Sequence, residues 1–201
     1  MGTISKVYKP LYTTKKRYIL VTGGRASLKS TSVHDFLVRL TFEKGHGILI
    51  TRYTMTSAEK SIIPEFKQTL ERLGVSEHFT ITKQNAVNNI TGSFILFSGV
   101  KTSSGDQTAN LKSLVGITTL VVEEGEDFTD ERAFDRIDQS VRTKTKQNRI
   151  IWIMNPTYRE HFIYKRWIEA YPNKITVEGE QISTSNHPQV EHIHTTYHIA
   201  N

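Results

Sequence analysis

The chain has 201 residues, with 26 basic and 20 acidic side chains and no cysteine. This length is enough to bury a core without disulfide bonds, and the lack of cysteine excludes both disulfides and thiolate metal sites. The formal net charge of +6 favours a polyanionic partner, although many basic domains bind no nucleic acid. No apolar run approaches the roughly 20 residues of a membrane span, and the first residues carry no signal-peptide core. We therefore expect a soluble intracellular protein.

Strands and helices alternate in the secondary structure that the sequence predicts. Apolar runs predict strands at residues 18–21, 47–53, 78–82, 86–91, 93–100, 118–122, 149–154, 174–177 and 192–197. Helices are predicted at residues 29–42, 56–73, 105–114, 130–141 and 161–170. Pro64 should kink or divide the second helix, which Thr56 and Ser57 can cap. Because the strands are apolar throughout, we expect a mostly parallel sheet with helices on both faces.

The most informative stretch joins the first strand to the first helix. Gly23 and Gly24 end the strand, and Lys29-Ser30-Thr31 begins the helix. In a phosphate loop, backbone N–H groups at the helix start cradle phosphate oxygens, the lysine reaches the terminal phosphates and a hydroxyl holds magnesium. The usual pattern has a second glycine, which Leu28 replaces here. Leu28 is compatible with such a loop if it has ordinary helical angles and points away from the phosphates. The alternative is a plain strand-to-helix turn.

Two carboxylates follow the apolar strand 118–122 directly. At the tip of a strand beside a phosphate loop, Glu123 suits the support of magnesium, and Glu124 suits the activation of water. The alternative is an acidic helix start, in which Glu123, Glu124, Glu126 and Asp127 complement a helix dipole. A third strand, 149–154, ends in Asn155, whose amide can sense the terminal phosphate; the alternative is an ordinary Asn-Pro turn.

Weaker signals are left open by the sequence. The basic stretch 142–149 is either a solvated loop or a surface that faces DNA. His192 and His194 share one side of a strand, but a third metal ligand is not apparent. Tyr8, Tyr12 and Tyr18 precede the phosphate loop, where adenine often stacks, and the sequence does not choose between them.

Taken together, these motifs resemble the ATPase domain of the large terminase subunit of tailed bacteriophages, the motor that pumps DNA into the capsid. The resemblance covers nearly the whole chain. The matching residues are Gly23-Gly24-Arg25-Ala26-Ser27-Leu28-Lys29-Ser30, Arg52, Val121-Val122-Glu123-Glu124, Asn155-Pro156, the run from His161 to Trp167, and Thr195-Thr196-Tyr197. The fold that this implies is an α/β P-loop NTPase of the RecA/ASCE type, with a mostly parallel central sheet. The chain would be a single ATPase domain, residues 1–201, an N-terminal fragment without the family's nuclease domain.

The resemblance also implies roles for individual residues, with ATP and Mg²⁺ as cofactors. Nucleotide would be bound by Gly23, Gly24, Arg25, Ala26, Ser27, Leu28, Lys29, Ser30 and Thr31. Ser30 would bind the magnesium ion and Glu123 would support it. Glu124 would activate water, and Lys29 and Arg25 would place positive charge at the phosphates. Asn155 would couple hydrolysis to motion. Lys112 is a candidate for the basic residue that a neighbouring subunit supplies in the ring, and a solvated helix-end lysine is its alternative.

The implied partners are double-stranded DNA, the portal protein, the small terminase subunit and further copies of the chain in a ring, with monomers when the domain is isolated. The implied location is the cytoplasm of the bacterial host during phage assembly, without a membrane. Two other classes fit the same motifs. One is a helicase- or recombinase-type DNA-dependent ATPase, and the other is a DNA-binding or assembly module whose nucleotide site has decayed.

Overall fold

The computed structural model describes residues 4–54, 58–102, 105–106, 115–156 and 159–200, with the side chains of 53–54, 58–59, 100–102 and 105–106 left out. The α-helices are α1 (Pro10–Thr13), α2 (Lys29–Thr41), α3 (Ile63–Leu73), α4 (Glu131–Asp138) and α5 (Tyr197–Ala200), and the helix predicted at residues 161–170 is present as a π-helical segment, Tyr164–Glu169. The strands are β1 (Tyr18–Gly23), β2 (Gly47–Thr54), β3 (Phe79–Ile81), β4 (Asn85–Asn88), β5 (Phe94–Thr102), β6 (Gly105–Asp106), β7 (Ile117–Val122), β8 (Arg149–Met154), β9 (Pro172–Val177), β10 (Glu180–Ser185) and β11 (Val190–Thr195).

One large sheet forms the centre of the molecule. Its strand order is β11-β1-β8-β7-β2-β5-β4-β3, and β6 pairs with β5 outside this path. The pairings from β11 across to β5 are parallel, whereas β5-β4, β4-β3 and β5-β6 are antiparallel. The carboxyl ends of β1, β8, β7 and β2 therefore meet at one edge of the sheet. We call this the carboxyl edge, and the opposite edge the amino edge.

The central strands bury both of their faces, as the continuous apolar runs predict. In β1, Ile19 and Val21 pack into one core cluster together with α1, α2 and α3, while Leu20 packs into a second cluster on the opposite face. The second cluster contains Trp152 of β8 and Phe134 of α4. Consecutive residues of a strand point to opposite faces, so a strand covered on both sides must be apolar at every position. The prediction of a mostly parallel sheet with helices on both faces is confirmed.

The long helix predicted at residues 56–73 is divided near Pro64, as expected. A π-helical segment, Ala58–Ile62, precedes α3, and Pro64 lies in the first turn of α3, where its missing N–H breaks no helical hydrogen bond. Gly74 ends α3 in the left-handed conformation, with φ of 67°. The capping expected from Thr56 and Ser57 lies outside the described residues.

Two other expectations about secondary structure differ from the structure. The short helix predicted at residues 105–114 is wrong at its start, because Gly105 and Asp106 pair with β5 as β6; residues 107–114 lie outside the described part of the chain. The strand β10, which pairs with β9 in a separate two-stranded sheet, is not predicted from the sequence. Most residues of β10 are polar and at least partly exposed, which removes the apolar signal on which strand prediction depends.

Candidate nucleotide-binding site

The sheet register brings the predicted motifs together at the carboxyl edge. Thr22 of β1 is paired with Met154 of β8, so the phosphate loop and Asn155 follow neighbouring strand ends. Thr51 of β2 is paired with Val122 of β7, which places Arg52 beside Glu123. The fold therefore brings the phosphate loop, the glutamate pair and Asn155 to adjacent strand ends, as the sequence interpretation requires. These groups surround a cleft of about 370 Å³, whose lining includes Lys29, Arg52, Glu124 and Asn155, and also Ala26, Ser27, Leu28, Ser30, Thr31, Glu65 and Glu126.

Backbone strain is concentrated in this site. Ala26 and Leu28 in the loop, and Glu124 at the end of β7, have φ values of 60°, 57° and 49°. Non-glycine residues adopt this region at a cost of about 1–3 kcal/mol each, and they cluster at functional sites. Leu28 therefore does not have the ordinary helical angles that were set as a condition for its place in a phosphate loop. Leu28 keeps the left-handed conformation that the usual glycine would adopt, because the chain changes direction there to enter α2. The Leu28 side chain is 39% exposed.

Gly23 is required by packing at the start of the loop. A Cβ atom there would lie 2.1 Å from the carbonyl oxygen of Thr195 in the adjacent β11. Gly24 and Arg25 follow on the exposed surface of the loop, and Thr31 is exposed on the first turn of α2. The residues predicted to bind nucleotide thus run from the last residue of β1 through the loop into the first turn of α2.

The Lys29 ammonium lies at the centre of the loop. It donates hydrogen bonds to the carbonyl oxygens of Gly23 and Gly24 at 2.7 and 2.6 Å, and to Asn155 Oδ1 at 3.2 Å. Burial lowers the pKa of Lys29, and the nearby Glu126 carboxylate opposes this shift. Because backbone carbonyls and one amide hold the charge, an anionic group that enters the cleft meets a cation already in place.

The N-terminus of α2 opens into the same cleft. Its N-cap residue, Leu28, provides no capping side chain, and the first turn holds no acidic residue. The leading N–H groups of a helix lack partners within the helix and carry partial positive charge. Together with the Ser30 hydroxyl, they form a site suited to phosphate oxygens.

Glu123 lies beneath the cleft rather than in it. Its side chain is 1% exposed; Oε1 lies 2.6 Å from His34 Nε2, and Oε2 lies 3.4 Å from Arg52 Nε. Burial alone would raise the pKa of Glu123, but the charges and hydrogen bonds of His34 and Arg52 outweigh it and lower that pKa. Burial alone would lower the pKa of His34, but the charge of Glu123 and its hydrogen bond to His34 outweigh burial and raise that pKa. The pair is therefore a buried ion pair.

Ligand atoms of His34, Glu65 and Glu123 lie within 4.8 Å of one another, the one group of metal-ligand side chains among the described residues. The short His34–Glu123 contact and the adjacent Arg52 guanidinium already satisfy this carboxylate. A cation bound directly to Glu123 would have to displace two positive partners, so we interpret the group as a structural ion-pair network and not as a site of direct metal ligation.

Glu124 is the carboxylate that reaches the cleft. Its side chain is 49% exposed, and Oε1 lies 3.2 Å from Arg52 Nη2. Burial is the main cause that raises the pKa of Glu124; the carboxylates of Asp127, Glu123 and Glu126 add to this, and Arg52 opposes it. Arg52 therefore bridges the buried and the exposed glutamate, and it also donates a hydrogen bond to Ser61. A carboxylate of raised pKa that is held at a cleft wall is suited to accept a proton.

Glu126, which the sequence indicates only as part of an acidic helix start, joins the site. Glu126 Oε1 accepts a hydrogen bond from Asn155 Nδ2 at 2.5 Å, and Oε2 accepts one from the Asn155 backbone N–H at 3.1 Å. The Asn155 carboxamide thus connects Glu126 on one side with Lys29 on the other. No spacing rule in the sequence predicts this contact, because it forms between two strand ends.

The three tyrosines before the loop are separated by the fold. Tyr18 lies on the opposite face of the sheet, where its ring packs on Trp167 and its hydroxyl donates to Asp138 at 2.9 Å. Tyr8 and Tyr12 line a cavity of about 160 Å³ next to Leu28 and Thr31. Tyr8 also donates a hydrogen bond to the Ser27 carbonyl, so it supports the loop directly. Lys112, the candidate residue for a neighbouring site, lies outside the described residues.

His192 and His194 are joined through Thr22 rather than by a metal site. Ser185 N–H donates to His192 Nδ1 at 3.0 Å, so the neutral ring carries its proton on Nε2 and donates to Thr22 Oγ1 at 2.8 Å. The Thr22 hydroxyl then donates to His194 Nδ1, also at 2.8 Å. Burial, followed by the charge of His194, lowers the pKa of His192 to about 3. His192 is therefore neutral in the folded chain.

This neutral histidine predicts acid sensitivity of folding. Between about pH 6.5 and pH 3 the unfolded chain binds a proton at His192 that the folded chain does not, so stability falls by up to about 1.4 kcal/mol per pH unit as pH decreases. We expect His192→Asn, which keeps an acceptor for Ser185, to flatten the dependence of the free energy of unfolding on pH over this window. Urea unfolding from pH 7 to pH 4 measures it, with the exposed His198→Asn as control. Equal slopes for the wild type and His192→Asn would contradict the assignment.

The fold and the site together define a P-loop NTPase of the ASCE class, in which β8 lies between the phosphate-loop strand β1 and the glutamate-bearing strand β7. The family model described as phage terminase large subunit matches residues 15–200, so the chain belongs to that family. No curated protein matches the chain in sequence.

Solved structures show the same fold at low sequence identity. The large terminase of a thermophilic bacteriophage is 13% identical with a TM-score of 0.72, covering 99% of this chain and 47% of that one. A structure of that terminase in complex with ATP-gamma-S is 11% identical, with a TM-score of 0.70 and coverage of 98% and 46%. The ATPase domain of the Thermus phage P74-26 large terminase is 14% identical, with a TM-score of 0.65 and coverage of 96% and 80%. The chain spans about half the length of the first of these terminases.

A chain of the bacteriophage Phi-29 genome packaging motor assembly is also similar, at 13% identity and a TM-score of 0.58, covering 92% of this chain and 58% of that one. Within the part of the chain that the structure describes, no helix combines the length and apolar character needed to cross a membrane.

Proposed function

We propose that residues 1–201 form one ATPase domain, the motor domain of a DNA-packaging terminase, which couples hydrolysis of Mg-ATP to translocation of double-stranded DNA into a capsid. The observation that carries this proposal is the convergence of Lys29, Glu124 and Asn155 on a single cleft beside the uncapped start of α2. Membership of the phage terminase large subunit family supports it. So does the thermophilic-phage relative that was solved with ATP-gamma-S.

The β- and γ-phosphates are assigned to the loop from Gly24 to Thr31. The leading N–H groups of α2 and the Lys29 ammonium neutralise them, and Arg25 adds positive charge at the exposed side of the loop. The oxygen donors at the cleft fit Mg²⁺, which prefers hydroxyl, carboxylate and water ligands. Ser30 would hold the ion directly, and Glu123, which is buried, would act through water. Bound magnesium would supply charge neutralisation on the phosphoryl oxygens.

Hydrolysis is assigned to Glu124. Its carboxylate orients the attacking water in line with the γ-phosphate and accepts a proton from it. Arg52 positions Glu124 through their 3.2 Å contact and is itself fixed by the buried Glu123. A basic residue of a neighbouring subunit, with Lys112 as candidate, would complete charge balance on the transferred phosphoryl group. Loss of that group would be sensed at Asn155, which bonds both Lys29 and Glu126.

The adenine ring is assigned to the cavity beside Tyr8 and Tyr12. This cavity is continuous with the loop through Leu28 and Thr31, which also line the phosphate cleft. Tyr12 is the better candidate for contact with the base, because the Tyr8 hydroxyl is engaged by Ser27 and its side chain is only 1% exposed. The exposed Leu28 would then lie between the base and the phosphates.

Membership of the family supports the assembly and partners that we propose. The chain would act in a homo-oligomeric ring on double-stranded DNA, together with a portal protein and a small terminase subunit, in the cytoplasm of the bacterial host. An isolated domain would be a monomer with weak activity, because a ring supplies the missing basic residue.

The test is nucleotide binding and turnover with and without the loop lysine. Lys29→Ala is expected to weaken Mg-dependent ATP binding at least tenfold and to abolish phosphate release, because Lys29 is the cation at the centre of the loop. Calorimetric titration with ATP-gamma-S and a phosphate-release assay measure both, with the exposed Lys67→Ala of α3 as the matched control. If the wild type binds no nucleotide in the presence of magnesium, the chain is instead a DNA-binding or assembly module with a decayed site.

A further inference from the structure

The amino edge of the sheet, opposite the nucleotide cleft, collects basic side chains from three separate segments. These segments precede β1, β2 and β8, and because parallel strands begin at the same edge, all three lie along it; β1 and β8 are neighbours, and β7 stands between β8 and β2. Their basic residues, which we call the amino-edge basic surface, are Lys15, Lys16, Arg17, Lys44, Arg142, Lys144, Lys146 and Arg149. Three carboxylates offset them: Asp138 pairs with Arg17 at 2.5 Å, Glu191 with Lys16 at 3.7 Å and Glu43 with Lys146 at 3.9 Å. A net positive surface remains.

Direct contacts join the three segments into one surface. The side chain of Gln147 donates to the carbonyl oxygens of Thr14 and Lys16 at 3.2 and 3.4 Å. The Lys146 ammonium reaches Glu43, which lies before β2. The basic side chains therefore form one contiguous field rather than isolated charges.

The loop that precedes β8 is held in a fixed shape. Thr143 N–H donates to Asn148 Oδ1 at 2.9 Å, and Asn148 Nδ2 donates back to the Thr143 carbonyl at the same distance. This reciprocal pair closes the loop and presents Arg142 and Lys144, which are exposed. In the described part of the chain, neither of these two has an ion pair or a side-chain hydrogen bond, so both are available to a ligand.

A shallow groove of about 620 Å³ lies against this loop, with Arg142 and Lys144 on its wall next to Arg17, Gln139, Thr143 and Asn148. None of the large hydrophobic side chains that are exposed in the described chain lines this groove, although Val115, before β7, and Ile90, before β5, are exposed at the same edge of the sheet. A protein interface generally needs an apolar centre, whereas phosphate contacts use Arg, Lys, Thr, Asn and Gln together. The groove is lined mainly by residue types that contact phosphate groups.

We propose that the amino-edge basic surface binds the phosphate backbone of duplex DNA, independent of base sequence, at the edge of the sheet opposite the nucleotide. The proposal rests on the proposed function and names where the DNA lies. The strands β1 and β8 run between the two sites, and six residues of strand separate them by about 20 Å. Charge changes at the amino edge therefore leave the nucleotide cleft intact.

The experiment measures binding of a fluorescently labelled 24-base-pair duplex by anisotropy, at salt concentrations from about 50 to 200 mM. The test variant is Arg142→Glu/Lys144→Glu. The control is Lys67→Glu/Lys83→Glu, which changes the net charge equally on exposed positions of α3 and the β3–β4 turn. We expect the test variant to lose at least tenfold in affinity at about 0.1 M salt, with a slope of log K against log salt shallower by about 2, and the control to lose less than about threefold.

Phosphate release without DNA is measured on the same samples and is expected to be equal for both double variants and the wild type. Equal losses of DNA affinity in the test and control variants, or an unchanged affinity and slope in the test variant, would overturn the proposal. Stronger displacement by poly-glutamate than by unlabelled duplex would also overturn it, in favour of an acidic protein partner. If phosphate release that depends on Lys29 persists in these cases, the DNA-binding proposal is rejected and the proposed ATPase function is not.

Discussion

Replacement of Glu124 by glutamine is expected to reduce the rate of ATP hydrolysis by at least about 10²–10⁴-fold while Mg-ATP affinity changes by less than a few fold. Glutamine keeps the size of the side chain and tolerates the same backbone, with φ of 49°, but it accepts no proton. Arg52 holds the wild-type carboxylate at the cleft wall, so the group is already in position in this structure. Single-turnover phosphate release with saturating ATP measures the chemical step directly.

The matched control is Glu71→Gln, at an exposed position of α3. It is expected to hydrolyse ATP at the wild-type rate. Turnover of Glu124→Gln within a few fold of the wild type would reject Glu124 as the group that activates water. Loss of binding together with turnover would instead assign Glu124 to the binding of the nucleotide.

Replacement of His34 by leucine is expected to destabilise the fold by about 3–5 kcal/mol, because it leaves the buried Glu123 carboxylate without its closest positive partner. The two side chains are each 1% exposed and lie 2.6 Å apart, so water cannot replace the lost contact. Arg52, at 3.4 Å, compensates only in part. Urea unfolding at pH 7 followed by circular dichroism measures the loss.

The double variant His34→Leu/Glu123→Leu separates the charge from the packing. Removing both partners takes away the unpaired charge, so the double variant is expected to be more stable than His34→Leu alone. His198→Leu, at an exposed position of α5, should leave the free energy of unfolding within about 0.5 kcal/mol. If His34→Leu is as stable as this control, the buried ion pair does not hold Glu123 in place.

Much of the fold was predictable because its main signals are local. Strand 149–154 is predicted with the bounds that β8 has, since six apolar or long side chains stand between polar ends. The order of strand, glycine pair, lysine and helix also depends on neighbours in sequence, and so does the glutamate pair at the end of β7. Such features carry over from sequence to structure with few changes.

The features that the sequence did not reveal depend on contacts between distant segments. His34 lies on the buried face of α2, and nothing in its spacing points to Glu123, which follows 89 residues later. Glu126 looked like a contribution to a helix dipole, because its contact with Asn155 exists only once β7 and β8 are paired. The left-handed conformation of Leu28 is also not predictable from the sequence, since leucine disfavours it and the surrounding fold sustains the strain.

The most direct test of the central claim, that one cleft binds and hydrolyses ATP, is a crystal structure of the chain with magnesium and ATP-gamma-S. We expect the triphosphate along residues 24–31, with its terminal phosphate between the Lys29 ammonium and the Glu124 carboxylate. Nucleotide bound at any other place, or a terminal phosphate out of reach of Glu124, would contradict it.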